Sequence, residues 1–253
     1  RLIIDGEVVN LIDGFSALTS GSGYSVLVSV AGSTATVTVT DDSFISASAA
    51  EALVDNLLYD NTSEAPGGAT RTITLESVSD SDLDGVNDTS NVGAASVVTI
   101  QAVNDAPVLD NSVTMSLDTI TEDETDNSGN LISEIIASAG GDRITDVDSG
   151  ALEGLALIDL DNGNGKWQYN IGSGWTDVGT VSFAESLLLG ANDSLRFVPD
   201  GVDGDSAWVH FSAWDQTSGN AGDKVDNTLF FFNGAFSFDL GVATITVSSV
   251  PDA

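Results

Sequence analysis

Residues 24–40 read Tyr24-Ser25-Val26-Leu27-Val28-Ser29-Val30-Ala31-Gly32-Ser33-Thr34-Ala35-Thr36-Val37-Thr38-Val39-Thr40. Apolar and hydroxyl-bearing side chains alternate with period two, and β-branched residues dominate. A strand places successive side chains on opposite faces, so this pattern predicts two half-buried strands. Ala31-Gly32-Ser33 between them is a hairpin signal. The same reading extends to residues 70–78 and 96–103, then to residues 166–171, 195–198, 207–214, 228–232 and 242–248. Asp161-Asn162-Gly163-Asn164-Gly165 carries the Asn-Gly signal of a tight hairpin. Many short strands separated by Gly, Asn and Asp turns predict an all-β protein built of antiparallel sandwiches.

The chain also repeats itself. Ala102-Val103-Asn104-Asp105-Ala106-Pro107 closes one strand-rich unit, and Ser249-Val250-Pro251-Asp252-Ala253 closes the next. Ser48-Ala49-Ala50-Glu51 and Ser182-Phe183-Ala184-Glu185 both have capping-box spacing, and each predicts a short Leu-rich helical turn. Each is followed by a strand start, then by a long strand ending on an acid. The shared order predicts two domains, residues 1–103 and 104–253. The first has no counterpart to residues 110–155, so it reads as lacking its N-terminal strands. A start at Arg1, without Met or a basic-apolar leader, reads as a fragment or a processed chain.

Charge limits the partners. The chain carries 39 acidic residues against 6 basic ones, a formal net charge of −33. Such a surface repels nucleic-acid phosphates and anionic headgroups, which argues against both as partners. At 42% hydrophobic residues the chain can still bury two cores, unlike an acidic disordered tail. It has no cysteine, hence no disulfide framework, and no apolar run of about 18 residues that would predict membrane insertion. A strand-rich, cysteine-free, acidic chain fits an exported bacterial protein stapled by metal ions.

The acids sit in short loop clusters. Asp80-Ser81-Asp82-Leu83-Asp84-Gly85 places oxygens at positions 1, 3 and 5 with Gly at 6, the spacing of an EF-hand-type calcium loop. Asp88 falls at position 9, and Asn91 stands at 12 where a bidentate Glu is expected. The plainer reading is an Asp/Gly turn. A second set is dispersed: Asn104 and Asp105, Glu122 within Glu122-Asp123-Glu124, Asp146 and Asp148, and Asp215. Calcium takes about 6–8 oxygens in flexible geometry, so loops meeting at one sandwich end could supply them.

These stretches resemble a known family. Val103-Asn104-Asp105-Ala106-Pro107-Val108 is similar to the linker between cadherin-like repeats. Asp146-Val147-Asp148 is similar to their Asp-x-Asp ligand pair, and Asp215 in Ala213-Trp214-Asp215 to their later single Asp. Thr121-Glu122-Asp123-Glu124-Thr125 and Leu58-Tyr59-Asp60-Asn61-Thr62-Ser63 resemble the same group. Tandem repeats of this kind occur in very large secreted bacterial proteins, including RTX-type adhesins. The resemblance implies two tandem Greek-key β-sandwiches and a calcium-rigidified extracellular module at the bacterial cell surface. Its partners would be calcium ions and neighbouring repeats.

Other readings carry less. Alternation puts Trp208, His210 and Trp214 on one strand face, where they could stack against a surface glycan; the plainer reading packs the tryptophans at a sandwich edge or under a loop. Leu229-Phe230-Phe231-Phe232 reads as a core strand or an exposed partner-binding edge. A self-assembling subunit, completed by strands from an identical chain, is a third functional reading. His210 is the only histidine, and neither a His-based zinc site nor a Ser-His-Asp triad has a supporting set of residues around it in the sequence. No phosphate-cradling glycine loop or nucleophile elbow is present, and no enzyme activity is expected.

Overall fold

The computed structural model describes residues 1–41, 45–79, 89–228 and 234–251. The chain divides into two compact units, Arg1–Gln101 and Ala102–Ala253, both mostly strand.

In the first unit the strands are β1 (Leu2–Ile4), β2 (Glu7–Val9), β3 (Ser16–Leu18), β4 (Ser25–Ala31) and β5 (Thr34–Thr40). Helix α1 (Ala47–Asp55), β6 (Leu58–Tyr59), β7 (Thr70–Ser79) and β8 (Thr89–Thr99) follow. They form three antiparallel sheets, β2-β1-β6, β3-β4-β5 and β7-β8. The expected β4–β5 hairpin is present, with Val26 opposite Val39 and Ala31 opposite Thr34. Gly32 takes φ +61° at its turn, a conformation in which a Cβ is strained. Val26 and Val28 bury one face of β4 against Leu2, Ile4 and Val9, and Tyr59 and Ile73 pack onto that cluster. Helix α1 starts two residues earlier than its capping-box reading, at Ala47 rather than Ala49. Ser46, extended at φ −65° and ψ 153°, caps it by accepting the Ala49 N–H at 3.2 Å. Ser48 lies inside the first turn. The last strand also ends sooner than expected, at Thr99 rather than residue 103.

The second unit runs β9 (Val108–Leu109), β10 (Met115–Ser116), β11 (Ile120–Thr121), β12 (Asn130–Leu131), α2 (Ile132–Ser138) and β13 (Ile144–Thr145). Then come β14 (Gly154–Asp161), β15 (Gly165–Asn170), β16 (Thr176–Asp177), β17 (Ser186–Gly190) and β18 (Ser194–Pro199). The last are β19 (Asp205–Trp214), β20 (Lys224–Val225) and β21 (Phe236–Ser248). One sheet has the order β10-β21-β19-β14-β17-β20, with β11 also on β21; the other is β12-β18-β15-β16. Strands β10 and β11 run parallel to β21, and the other pairs of these sheets are antiparallel.

The core lies where these two sheets contribute to one cluster. Val209 and Phe211 of β19, Leu155 and Leu157 of β14, and Ile245 of β21 come from the first sheet; Trp167 and Phe197 come from the second. The Trp167 and Phe197 rings meet edge-on at 5.2 Å. The arrangement is sandwich-like, and period-two alternation along β19 explains it: residues 207, 209, 211 and 213 all point into this core. Among the described residues no helix is long and apolar enough to cross a membrane.

Two local expectations fail here. Residues 182–185 form a tight turn, with Glu185 N–H donating to the Ser182 carbonyl at 3.0 Å, and Leu187, Leu188 and Leu189 continue as strand β17. That strand is buried on both faces: Leu187 and Leu189 join the main core, while Leu188 packs with Trp214 and Phe236. A run of leucines buried on both sides has no period to distinguish strand from helix. Residues 161–165 do not make a hairpin: β14 pairs with β17 and β19, whereas β15 pairs with β16 and β18 in the other sheet. The turn instead carries the chain from one sheet to the other. Residues 229–232, read as a core strand or an exposed edge, lie outside the described residues, and Phe236, which opens the long strand β21, is buried.

Candidate metal centre

Short ladders bring the linker to the acidic loops. β9 pairs with β13 antiparallel, Leu109 opposite Ile144 and Val108 opposite Thr145. The chain just before β9 therefore lies beside the chain just after β13, which places Asn104 and Asp105 next to Asp146 and Asp148. The backbone N–H of Asp105 donates to Asp148 Oδ2 at 2.8 Å, and the N–H of Asp148 donates to Asp146 Oδ1 at 2.8 Å. Asp215 arrives from the end of β19. Its Oδ2 accepts from Asn104 Nδ2 at 2.8 Å, while Thr217 donates both its N–H and its hydroxyl to Oδ1. Asn104 Nδ2 also donates to the carbonyls of Asp105 and Gly234. Five of the residues singled out from sequence thus form one connected cluster: Asn104, Asp105, Asp146, Asp148 and Asp215.

The electrostatics are those of crowded acids. Burial pushes the Asp146 carboxyl above its ordinary range, and Asp148, Asp215 and Asp105 add repulsion in the same direction. Asp146 Oδ2 is buried and accepts no hydrogen bond. Asp215 is 2% exposed. Among the described residues no three acidic or histidine side chains are gathered tightly enough to form a ready metal cage. The hydrogen bonds account for this, since Asp146, Asp148 and Asp215 each turn at least one oxygen onto an N–H or O–H donor. An all-oxygen donor set with an orphaned, buried carboxylate oxygen nevertheless fits a hard cation such as calcium.

Glu122 does not belong to this cluster. β11 lies alongside the far end of β21, Thr121 opposite Ser248, and the Glu122 N–H donates to the Ser248 carbonyl. Asp215 follows Trp214, which pairs with Phe236 at the other end of β21. Thirteen residues of strand separate the two ends, roughly 40 Å. Glu122 is 1% exposed there; its Oε1 accepts the Val250 N–H at 2.8 Å, and its Oε2 has no partner. Asp80, Asp82, Asp84 and Asp88 lie outside the described residues.

The aromatic face is smaller than the sequence implies. Trp208 and His210 stack at 4.3 Å between ring centroids. Trp214 is buried among Ala156, Leu188, Ala235 and Phe236, with its indole N–H on the Ser218 carbonyl. The chain returning through residues 234–236 covers it, so a Trp208/Trp214 platform for sugars does not exist. Trp175 is engaged by the Arg196 guanidinium, 4.3 Å from its ring centroid.

No family model, curated protein or solved structure matches the chain.

Several residues shaping the cluster escaped the sequence reading. Gln216 sits at φ +66°, unusual for a side chain of its kind, and its amide donates to the Glu153 carbonyl at 2.7 Å. This turn aims Asp215 back toward the linker. Gly234, at φ +66°, comes so close that an added Cβ would lie 3.0 Å from the Asn104 carbonyl oxygen. The only available signal was the Asp-x-Thr spacing of Asp215 and Thr217, which favours a local turn.

Proposed function

We propose that the chain is a calcium-binding repeat segment of a bacterial surface or secreted adhesin, built of cadherin-like Greek-key β-sandwiches and acting as an extracellular spacer. One observation carries this reading. Among the described residues three buried side-chain oxygens or nitrogens have no hydrogen-bond partner, and two belong to Asp146 and Glu122, acids singled out from sequence as calcium ligands. A buried carboxylate oxygen with no partner is costly, and a bound cation offsets that cost.

Asp105, Asp146, Asp148 and Asp215 would hold the ion, with Asn104 supplying an amide oxygen after a side-chain flip. Bound calcium would supply charge compensation and a fixed oxygen cage. The protein's own contribution is positional: the β9–β13 ladder holds linker and loop together, and the Gln216 turn presents Asp215. Fastening Asn104 and Asp105 to the second unit restricts the linker, and that restriction is the spacer's mechanical role. Glu122, beside residues 249–251, would serve a separate ion at the other end of the unit. Nothing in this role requires catalysis.

The test is a calorimetric calcium titration with thermal melting and small-angle scattering, each with and without chelator. Binding, a higher melting temperature and a longer particle with calcium are expected. Indifference of all three to chelator overturns the reading.

A further inference from the structure

We propose that the outer edge of β7 pairs with the same edge of a second copy of the chain, antiparallel about a two-fold axis at Thr74. This surface lies wholly in the first unit and is independent of the metal cluster. The second unit shows what such a strand pair requires. There β19 and β21, which occupy the positions of β7 and β8 in the shared order of elements, have partners on their outer edges. Strand β14 covers β19, and β10 and β11 cover β21. Among the described residues β7 and β8 form a sheet of two strands only, so the edge corresponding to that taken by β14 is open. A long two-stranded ribbon is marginal in water, and an open edge is a template for another strand.

The open edge is self-complementary. Ile73 and Leu75 are the two half-buried residues of β7, and Ile73 packs on the unit's core. Pairing about Thr74 sets Ile73 of each copy opposite Leu75 of the other. Side chains of opposed residues share a face, so all four apolar side chains form one row on the core side. Thr72 and Thr74 occupy the other, exposed face, and residues 72–75 contain neither charge nor proline to block approach. This uncharged stretch is flanked by Arg71 and Glu76, which about the Thr74 axis fall opposite Ser77 and Thr72 rather than opposite like charges. The product is a continuous four-stranded sheet, β8 and β7 of one copy joined to β7 and β8 of the other. A single strand pair buries less than a standard interface, so the dimer is weak. Two copies of charge −33 repel, so association strengthens as salt shortens the Debye length from about 30 Å at 10 mM to about 8 Å at 150 mM.

Sedimentation equilibrium of the whole chain, up to about 1 mM and at both salt concentrations, tests this. Twice the chain mass is expected at 150 mM salt, and less of it at 10 mM. Thr74→Lys and Thr74→Glu each place like charges directly opposite across the axis, and each should raise the dissociation constant about fivefold or more. Mixing the two variants should restore association as a heterodimer. Thr74 is exposed, and an unchanged far-ultraviolet spectrum verifies the fold of each variant. A wild-type chain that is monomeric throughout, a dimer indifferent to both substitutions, or a mixture that fails to associate overturns the proposal.

Discussion

Asp146→Asn separates a metal ligand from a structural carboxylate, because the two roles predict opposite signs. In the wild type at pH 7 the Asp146 carboxyl is raised by burial and then by Asp148, Asp215 and Asp105. A carboxyl whose folded pKa lies above its unfolded value binds protons preferentially in the folded state. Its ionisation therefore weakens the fold as pH rises through the folded pKa. Asparagine removes that charge yet keeps an oxygen to accept the Asp148 N–H. The metal-free variant should melt at or above the wild-type temperature at pH 7, and the gap should close as pH falls through the folded pKa of Asp146. Calcium should have the converse effect. At a hundredfold excess over Kd, a ligand of the native state alone adds about 2.7 kcal/mol. For a unit of about 150 residues this is roughly 5–10 °C in Tm. The wild type should show that gain and Asp146→Asn little of it. All four tryptophans lie between residues 167 and 214, so tryptophan fluorescence follows the second unit alone. A metal-free variant that melts several degrees lower, or one that keeps the full calcium gain, refutes the assignment.

Gly241→Ala should destabilise the second unit by about 1–3 kcal/mol, because the new Cβ would sit 2.5 Å from the Phe211 ring; adding Phe211→Leu should recover part of the loss in denaturant melts, and strict additivity would refute the contact. Asp215→Ala should cost about 1–2 kcal/mol in chelator, since both Thr217 donors lose their acceptor while the Asn104 amide keeps the carbonyls of Asp105 and Gly234; a neutral result would mean that these bonds contribute nothing net. Asp5 is held below its ordinary range, first by the Thr19 hydroxyl and then by the Ser22 N–H. Its contribution should be complete above its unfolded pKa and lost as pH falls through the lowered folded value. Circular dichroism of the first unit should therefore show Asp5→Ala less stable than wild type near neutral pH and equal to it in strong acid.

Strands with one wet face were legible, and elements without one were not. Residues 34–40 and 207–211 alternate because one face is more exposed than the other, so their existence and approximate bounds followed from period two alone. β17 lost its period because Leu188 is buried as deeply as Leu187 and Leu189. Helix α2 was missed although its signal was present: Ile132, Ile135 and Ile136 have i, i+3, i+4 spacing and are all buried, and Glu134 accepts the Leu131 N–H at the third helical position. The seven-residue length kept that stripe below notice. The turn at residues 161–165 failed for a different reason. Asn-Gly chemistry specifies a reversal of the chain, but β15 joins β16 and β18 in the other sheet, and the local sequence does not contain which sheet a strand joins.

The site was legible as a set of residue types and illegible as a set of places. Asn104, Asp105, Asp146, Asp148 and Asp215 span more than a hundred residues, yet they meet because Asn104 and Asp105 lead into β9 while Asp146, Asp148 and Asp215 follow β13 and β19, at one end of the second unit. Glu122 has equal claim by composition, and it is closer to Asp146 along the chain than Asp215 is. The parallel pairing of β11 with the last residues of β21 nevertheless carries it to the opposite end. Strand direction, which periodicity does not encode, therefore divides one list of acids into two sites. Under the proposed calcium-binding role, Glu122 and the Asp146 cluster would hold separate ions at opposite ends of the second unit. Glu122→Gln should then leave the calcium response of the Asp146 cluster intact while removing a separate binding event. Loss of both responses together would mean that the two ends do not act as independent sites.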